Sequence, residues 1–229
     1  MSAVKHVPAL RFTNVVAGPE WGAPLSVDVA DGSFVAIAAS AGRSAPFFRL
    51  ALGLLAPERG TVELFGQQPA LLGRAALQRL RRDVGSTLLP HGLVSTRTLR
   101  ENVVASLVHS GVLDLRASMK RADDALAECG ALAWADARPA EVPPDVRQRA
   151  AVARAVARRP RLLLLEDPVY AVPPEGARAL LAACRAAAGT VVAATHRRDD
   201  LVLEFADSAA RWDDNGFRAD DGANAMLER

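Results

Sequence analysis

Arg147-Gln148-Arg149 opens a helical run that closes at Arg159-Pro160-Arg161; Leu162-Leu163-Leu164-Leu165 follows, then Glu166-Asp167-Pro168. A short apolar run bounded by breakers and ending in two carboxylates reads as a strand with acids at its carboxyl end. Downstream lie the alanine-rich helical stretch Glu175 to Ala188, the strand Thr190 to Ala194 and a terminal strand near Ala209 to Trp212. Upstream, Phe34 to Ala38 reads as a strand and the run through Phe47 to Leu55 as a helix, stopped by Pro57-Glu58-Arg59-Gly60. Thr61 to Phe65 is a further strand. Strand and helix alternating in this way imply a parallel sheet with helices on both faces.

Two other regions flank this α/β core. Leu10-Arg11-Phe12 and Leu25-Ser26-Val27-Asp28-Val29 alternate as antiparallel strands, linked by Gly18-Pro19-Glu20-Trp21-Gly22. From about Pro69 to Arg149 apolar spacing of three and four predominates, around Leu99 to Leu107 and Met119 to Cys129. The expectation is one unit over 1–229, with a core lobe about 30–85 and 150–217 and an inserted helical subdomain about 86–149.

At 229 residues, 50% hydrophobic and 24% charged, the composition is that of a soluble globular domain with a substantial core. A net charge of +2 gives no electrostatic case for nucleic acid, so no such partner is expected. Lysine occurs only at Lys5 and Lys120; the remaining cations are arginines. Cys129 and Cys184 lie in separate helical patterns without metal-ligand spacing, which predicts buried thiols and no metal centre. Met1 to His6 lacks the apolar region of a signal peptide, and no apolar run approaches the ~18 residues of a membrane span. A cytoplasmic chain that reaches the membrane through a partner is the expectation.

Between the strand at Phe34 and the helix at Phe47 stands Ala38-Ala39-Ser40-Ala41-Gly42-Arg43-Ser44-Ala45-Pro46. A phosphate-binding loop uses glycines so that N–H groups converge on phosphate, a lysine for the outer phosphates, and a Ser or Thr hydroxyl for magnesium. Two registers are open. One places Ser44 at the lysine position and Ala45 at the magnesium ligand; the other reads Gly42-Arg43-Ser44 as Gly-Lys-Ser with arginine for lysine. In both, alanine at glycine positions resists positive φ by about 1 kcal/mol or more, Pro46 deletes an N–H, and arginine lacks lysine's compact ammonium. A plain strand-to-helix turn and a residual anion site at Arg43 both remain open.

The order of these segments, over roughly residues 9 to 217, resembles the ABC-transporter ATPases, and among them the short cassettes of lipoprotein release, macrolide export and lipid trafficking. The resemblance implies a P-loop NTPase-like α/β cassette: a parallel sheet core, an N-terminal antiparallel β-subdomain and an inserted helical subdomain. It also locates the damage. The family's magnesium-sensing glutamine falls on Leu89, so that Leu88, Leu89 and Leu93 are expected to line an apolar groove for the permease's coupling helix; Arg97 to Val103 resembles the family's "TVRENV". The LSGGQ signature reads Val142-Pro143-Pro144-Asp145-Val146, losing two N–H donors at its prolines and placing Asp145 as a helix N-cap. The Walker B Asp-Glu reads Glu166-Asp167, the D-loop "SALD" reads Tyr170-Ala171-Val172-Pro173, and His196 takes the switch histidine's place. Trp21 lies near the family's adenine-stacking aromatic, but the local spacing is loose and a packed turn tryptophan is the better reading.

Carried over, Glu166, Asp167 and His196 would be the catalytic positions, and Ser40, Gly42, Arg43, Ser44, Ala45 and Asp145 the nucleotide-binding ones. The resemblance implies a degenerate subunit that has lost or nearly lost ATP hydrolysis and keeps its dimer and permease surfaces. No cofactor is expected beyond residual ATP and magnesium. The implied partners are an integral membrane permease and a second cassette, identical or not. A slow ATPase with altered geometry and a soluble adaptor of an authentic cassette are the alternatives.

Overall fold

The computed structural model describes residues 7–88, 92–108, 114–197, 201–214 and 216–219. Strands β1 (Leu10–Val16), β2 (Leu25–Val29) and β4 (Arg59–Leu64) form an antiparallel sheet in the order β2-β1-β4. The second sheet holds β3 (Phe34–Ala39), β5 (Val84–Thr87), β6 (Leu162–Glu166), β7 (Thr190–Thr195), β8 (Ser208–Asp213) and β9 (Gly216–Ala219). Its order is β5-β6-β7-β3-β8-β9, parallel throughout except for the antiparallel β8-β9 hairpin.

The apolar runs are continuous because this sheet is covered on both sides. Successive side chains point to opposite faces, so each central strand feeds two cores. Val35, Ile37, Leu162, Leu164 and Val192 face one, shared with the antiparallel sheet, α1 (Ala41–Ala51) and Leu80 of α2 (Arg74–Arg82). Phe34, Ala36, Leu163, Leu165 and Val191 face the other, shared with α3 (Leu99–Val108), α4 (Leu115–Glu128), α5 (Pro144–Val156) and α6 (Pro174–Ala187). Leu162 to Leu165 are each 0% exposed, and each contributes on the order of 1.5–3 kcal/mol. Phe47 of α1 stacks on Phe12 of β1 at 4.5 Å and 7°, pinning the helix between the two sheets.

The start of α3 is tied down by two devices. Thr98 and Glu101 form a reciprocal capping box: the Thr98 N–H donates to Glu101 Oε2 (2.8 Å) and the Glu101 N–H to Thr98 Oγ1 (3.1 Å). Buried Asn102 accepts from the Val94 N–H (2.7 Å) and donates to the carbonyls of Val94, Arg97 and Thr98, holding the approach to the helix. Leu88 packs against the first core and Leu93 against the second. Leu89, between them in sequence, lies outside the described residues.

Three expectations change. The first helix begins at Ala41 and leaves Ser40 as the only residue between β3 and α1. The proposed N-cap at Asp145 is displaced: α5 starts at Pro144 with Pro143 before it, and Asp145 sits in the first turn. The terminal strand near Ala209 is longer and is joined by β9.

Cys129 and Cys184 are both buried and free. Burial, with Glu128 adding to it, pushes the Cys129 thiol up to about 12, and burial together with Cys129 raises Cys184 well above the usual thiol range. A thiol stays inert while its thiolate is suppressed and enclosed. A disulfide reagent is therefore expected to titrate neither cysteine in the native protein and both after denaturation; fast labelling without denaturant would contradict this burial.

Candidate functional site

The carboxyl ends of β3, β6 and β7 bring three sequence-distant polar groups to one point. Ser44, in the first turns of α1 and 2% exposed, donates its hydroxyl to Glu166 Oε1 at 3.0 Å. His196 Nε2 lies 3.4 Å from the same hydroxyl oxygen. On its other side the imidazole Nδ1 meets Asp167 Oδ2 at 2.5 Å, and the His196 N–H donates to Asp167 Oδ1 at 3.0 Å. Glu166, Ser44, His196 and Asp167 thus form a continuous polar chain in which both carboxylates already hold protein donors. Glu166 is 2% exposed and Asp167 7%.

Asp167 adopts φ 44°, the left-handed region, where Asp is among the tolerated non-glycine residues. Its carbonyl accepts from Gln148 Nε2 at 3.0 Å. Gln148 is 0% exposed on α5 and its Oε1 has no partner among the described residues. The helix that carries the altered signature therefore fixes the peptide behind the second carboxylate. Nothing local in the sequence marks this contact.

The nine residues from Ala38 to Pro46 do not form a cradle. Ser40 is extended, with φ −67° and ψ 158°, and its side chain caps nothing. The Arg43 and Ser44 N–H groups both turn back to the Ser40 carbonyl, at 3.0 and 2.9 Å. No residue from Ala38 to Pro46 has positive φ, so the alternation of left- and right-handed residues that makes an anion nest is missing. Pro46 lies inside α1 and removes the N–H that would reach Gly42. Ser44, rather than half-buried Ala45, stands opposite Glu166.

Arg43 is engaged elsewhere. Its Nη2 pairs with Asp214 Oδ1 at 2.6 Å, while its buried Nε has no partner among the described residues. The pair bounds a cleft of about 270 Å³, lined also by Ser40, His196, Arg211 and Trp212. Beside the first turn of α1 sits an exposed carboxylate of the same chain: a Cβ added to Gly42 would lie 1.5 Å from Glu20 Oε2. Glu20 is held there by its neighbour Trp21, which is 1% exposed, donates from Nε1 to the Val15 carbonyl at 2.7 Å and meets Trp212 edge-on at 4.5 Å. An acidic side chain is favoured at a helix amino end and repels a second anion there. Trp21 is a packed core residue and presents no free ring face for stacking.

Asp145 stands apart from this cluster. It lies in the first turn of α5 with Arg149 Nε 3.8 Å away. Arg149 in turn donates to the Cys129 carbonyl at 3.2 Å and runs beside Gly176, where a Cβ would come within 2.0 Å of its Nη2.

Comparison with known proteins agrees with this architecture. A family model described as ABC transporter matches residues 23–170. The methionine import ATP-binding protein MetN 2 of Paraburkholderia xenovorans is 33% identical over 194 residues, 82% of this chain and 50% of that protein. The energy-coupling factor transporter ATP-binding protein EcfA1 of Lacticaseibacillus paracasei is 31% identical over 208 residues, 88% of this chain and 73% of that protein. The chain thus spans half the length of the first relative and about three quarters of the second. The dimeric ATP-binding cassette MJ0796, in a post-hydrolysis state bound to ADP and Pi, superposes with a TM-score of 0.79 at 23% identity, covering 90% of this chain and 94% of that one. With a family model over most of its length, close relatives and the cassette architecture all in agreement, the chain belongs to the ABC transporter family.

Proposed function

We propose that this chain is a nucleotide-binding-type subunit of an ABC transporter that has lost ATP hydrolysis and acts through its contacts with a permease and a second cassette. The observation that supports this best is the state of Ser44. The Ser44 hydroxyl that a magnesium ion would need is bonded to Glu166, and the helix that carries Ser44 follows β3 after the single residue Ser40. ATP and magnesium do not fit these residues: the turn offers no cradle of N–H groups, the Glu20 carboxylate lies against Gly42 in the first turn of the helix, and Arg43 is engaged with Asp214. The two prolines before Asp145 remove donors from the second surface on which a cassette dimer relies.

Each lost transition-state contact commonly costs ~10²–10³ in rate. Purified protein is therefore expected to release phosphate from ATP at the background rate, unchanged by Asp167→Ala. Turnover of about one per second that Asp167→Ala abolishes would replace this reading with a slow ATPase. The grouping of Glu166, Asp167 and His196 around Ser44 is what keeps that second reading worth testing.

The relatives are named as ATP-binding proteins of transport systems, and by extension we assign this chain an integral membrane permease as its partner, with the chain peripheral to the membrane. No helix among the described residues is long and apolar enough to cross a bilayer itself. The groove around Leu88, Leu89 and Leu93 would receive the permease's coupling helix. Leu89→Asp is expected to abolish recovery of the permease in a detergent pull-down while leaving the melting temperature within about 2 °C of the parent. Equal recovery would move the contact elsewhere, and failure to find any membrane partner would favour a soluble adaptor.

A further inference from the structure

A second cleft lies at the opposite end of the central sheet. It encloses about 250 Å³ between the turn after β4, α2 and the start of β6, and is lined by Phe65, Gln67, Arg79, Leu80, Asp83 and Arg161. Arg161 precedes β6 and Glu166 ends it, so five residues of strand, about 16 Å, separate this cleft from the carboxylate cluster.

Its construction is unusual in two respects. Phe65 adopts φ 51°, a left-handed conformation that a bulky side chain rarely takes and that costs about 1–2 kcal/mol. Its ring carries the Arg161 guanidinium, with Cζ 4.1 Å from the ring centroid. Stacking fixes the guanidinium plane through its face and leaves the N–H fork at its edge available. Strain of this kind, retained where a glycine or asparagine would relieve it, is a reason to look for a function.

The second respect is charge. Arg79 and Arg161 both line the cleft, against the single carboxylate of Asp83. At the end of α2, outside the cleft lining, Arg158 donates to the Arg82 carbonyl at 2.5 Å, and burial together with the Arg82 charge holds Arg158 below the usual arginine range. None of Arg79, Arg82, Arg158 and Arg161 has an ion-paired carboxylate among the described residues. The two guanidiniums that line the cleft against one carboxylate leave an uncompensated positive site.

We propose that this cleft binds a compact phosphate-bearing ligand, with Arg79 and Arg161 as the two guanidinium forks and Phe65 as the platform that orients the second. Phosphate matches the forks bidentately, and its multiple charge outweighs Asp83 where a single carboxylate would not. The volume suits a group of pyrophosphate size. The ligand could be a free phosphate compound or a lipid headgroup; the chemistry is shared.

Isothermal titration of the full chain with sodium pyrophosphate tests it. The parent is expected to bind, and Arg79→Gln with Arg161→Gln to weaken binding at least about tenfold. Arg43→Gln, at the other cleft, is expected to leave the affinity unchanged, which separates this site from the nucleotide site. Arg161→Gln also removes the ring contact; if the double variant melts early, Arg79→Gln alone, on the surface of α2, must still weaken binding. No heat at millimolar pyrophosphate, or a loss confined to Arg43→Gln, would overturn the proposal. Sedimentation with phosphatidylglycerol vesicles against phosphatidylcholine vesicles separates the sources. Pyrophosphate-reversible binding to the anionic vesicles assigns a headgroup, and no sedimentation alongside pyrophosphate binding assigns a soluble phosphate. Vesicle binding that survives the double substitution, or duplex oligonucleotide binding tighter than pyrophosphate, would argue against the site.

Discussion

A variant carrying a full glycine-rich phosphate loop, with lysine and threonine, between Ala39 and Pro46 is expected to hydrolyse ATP no faster than the parent chain. The loop is only the first obstacle. In the proposed reading each nucleotide would be held between one subunit's loop and the other subunit's signature, and here the signature is Val142-Pro143-Pro144-Asp145-Val146. α5 starts at Pro144, so two N–H donors are missing where its amino end would face phosphate, and Asp145 adds a negative charge in that same first turn. Glu20 presents a further barrier, because its carboxylate lies against Gly42 in the first turn of α1 and adds negative charge there. Restoring the loop, replacing residues 142–146 by Leu-Ser-Gly-Gly-Gln, exchanging Glu166 and Asp167, and adding Glu20→Ala should together raise phosphate release by at least ~10² over any single repair. If the loop repair alone gave turnover of about one per second, the signature would have to work as it stands, and the loss-of-hydrolysis reading would fall.

The fold was legible because its strands are local apolar runs bounded by breakers. Phe34 to Ala38, Leu162 to Leu165 and Thr190 to Ala194 each fall within an observed strand, and their continuous hydrophobicity follows from burial on two faces. Boundaries set by tertiary context were less legible. Gly42 and Pro46 read as loop residues, yet α1 contains both, since the buried Ser44 and Phe47 anchor its early turns. Pro143 and Pro144 likewise displaced the expected cap at Asp145. β9 is a half-buried four-residue edge strand, supported chiefly by pairing with β8, and such a strand has little periodic signal of its own. At the site, residue types at family positions located Glu166, Asp167, His196 and Ser44. The bond between Ser44 and Glu166 spans 122 positions, and that between Gln148 and Asp167 spans 19, so neither could be read from spacing. The placement of Glu20 over Gly42 depends on how Trp21 packs, which is equally non-local.

Gly85→Ala is expected to destabilise the protein by about 3 kcal/mol, lowering the melting temperature by roughly 6–12 °C. Gly85 lies in β5 with no positive φ, so its conformation is open to alanine and the argument rests on space alone. A Cβ there would stand 2.3 Å from the Ala155 carbonyl oxygen, 2.7 Å from Leu163 Cδ2 and 3.0 Å from Pro160 Cγ. The first of these is backbone near the end of α5, which cannot rotate aside as a side-chain tip can. Relief requires α5 to move away from the sheet, and α5 carries Gln148, the donor that holds the left-handed Asp167 peptide. The substitution should therefore do more than lower the melting point. The environment of His196, whose imidazole and N–H both bond to Asp167, should change with it, visible as a shift of its imidazole resonances by NMR below the melting temperature. Gly73→Ala is the matched control, since a Cβ at Gly73 meets nothing within 4 Å. Equal melting temperatures for the two variants would show that β5 and α5 are packed less closely than these distances require.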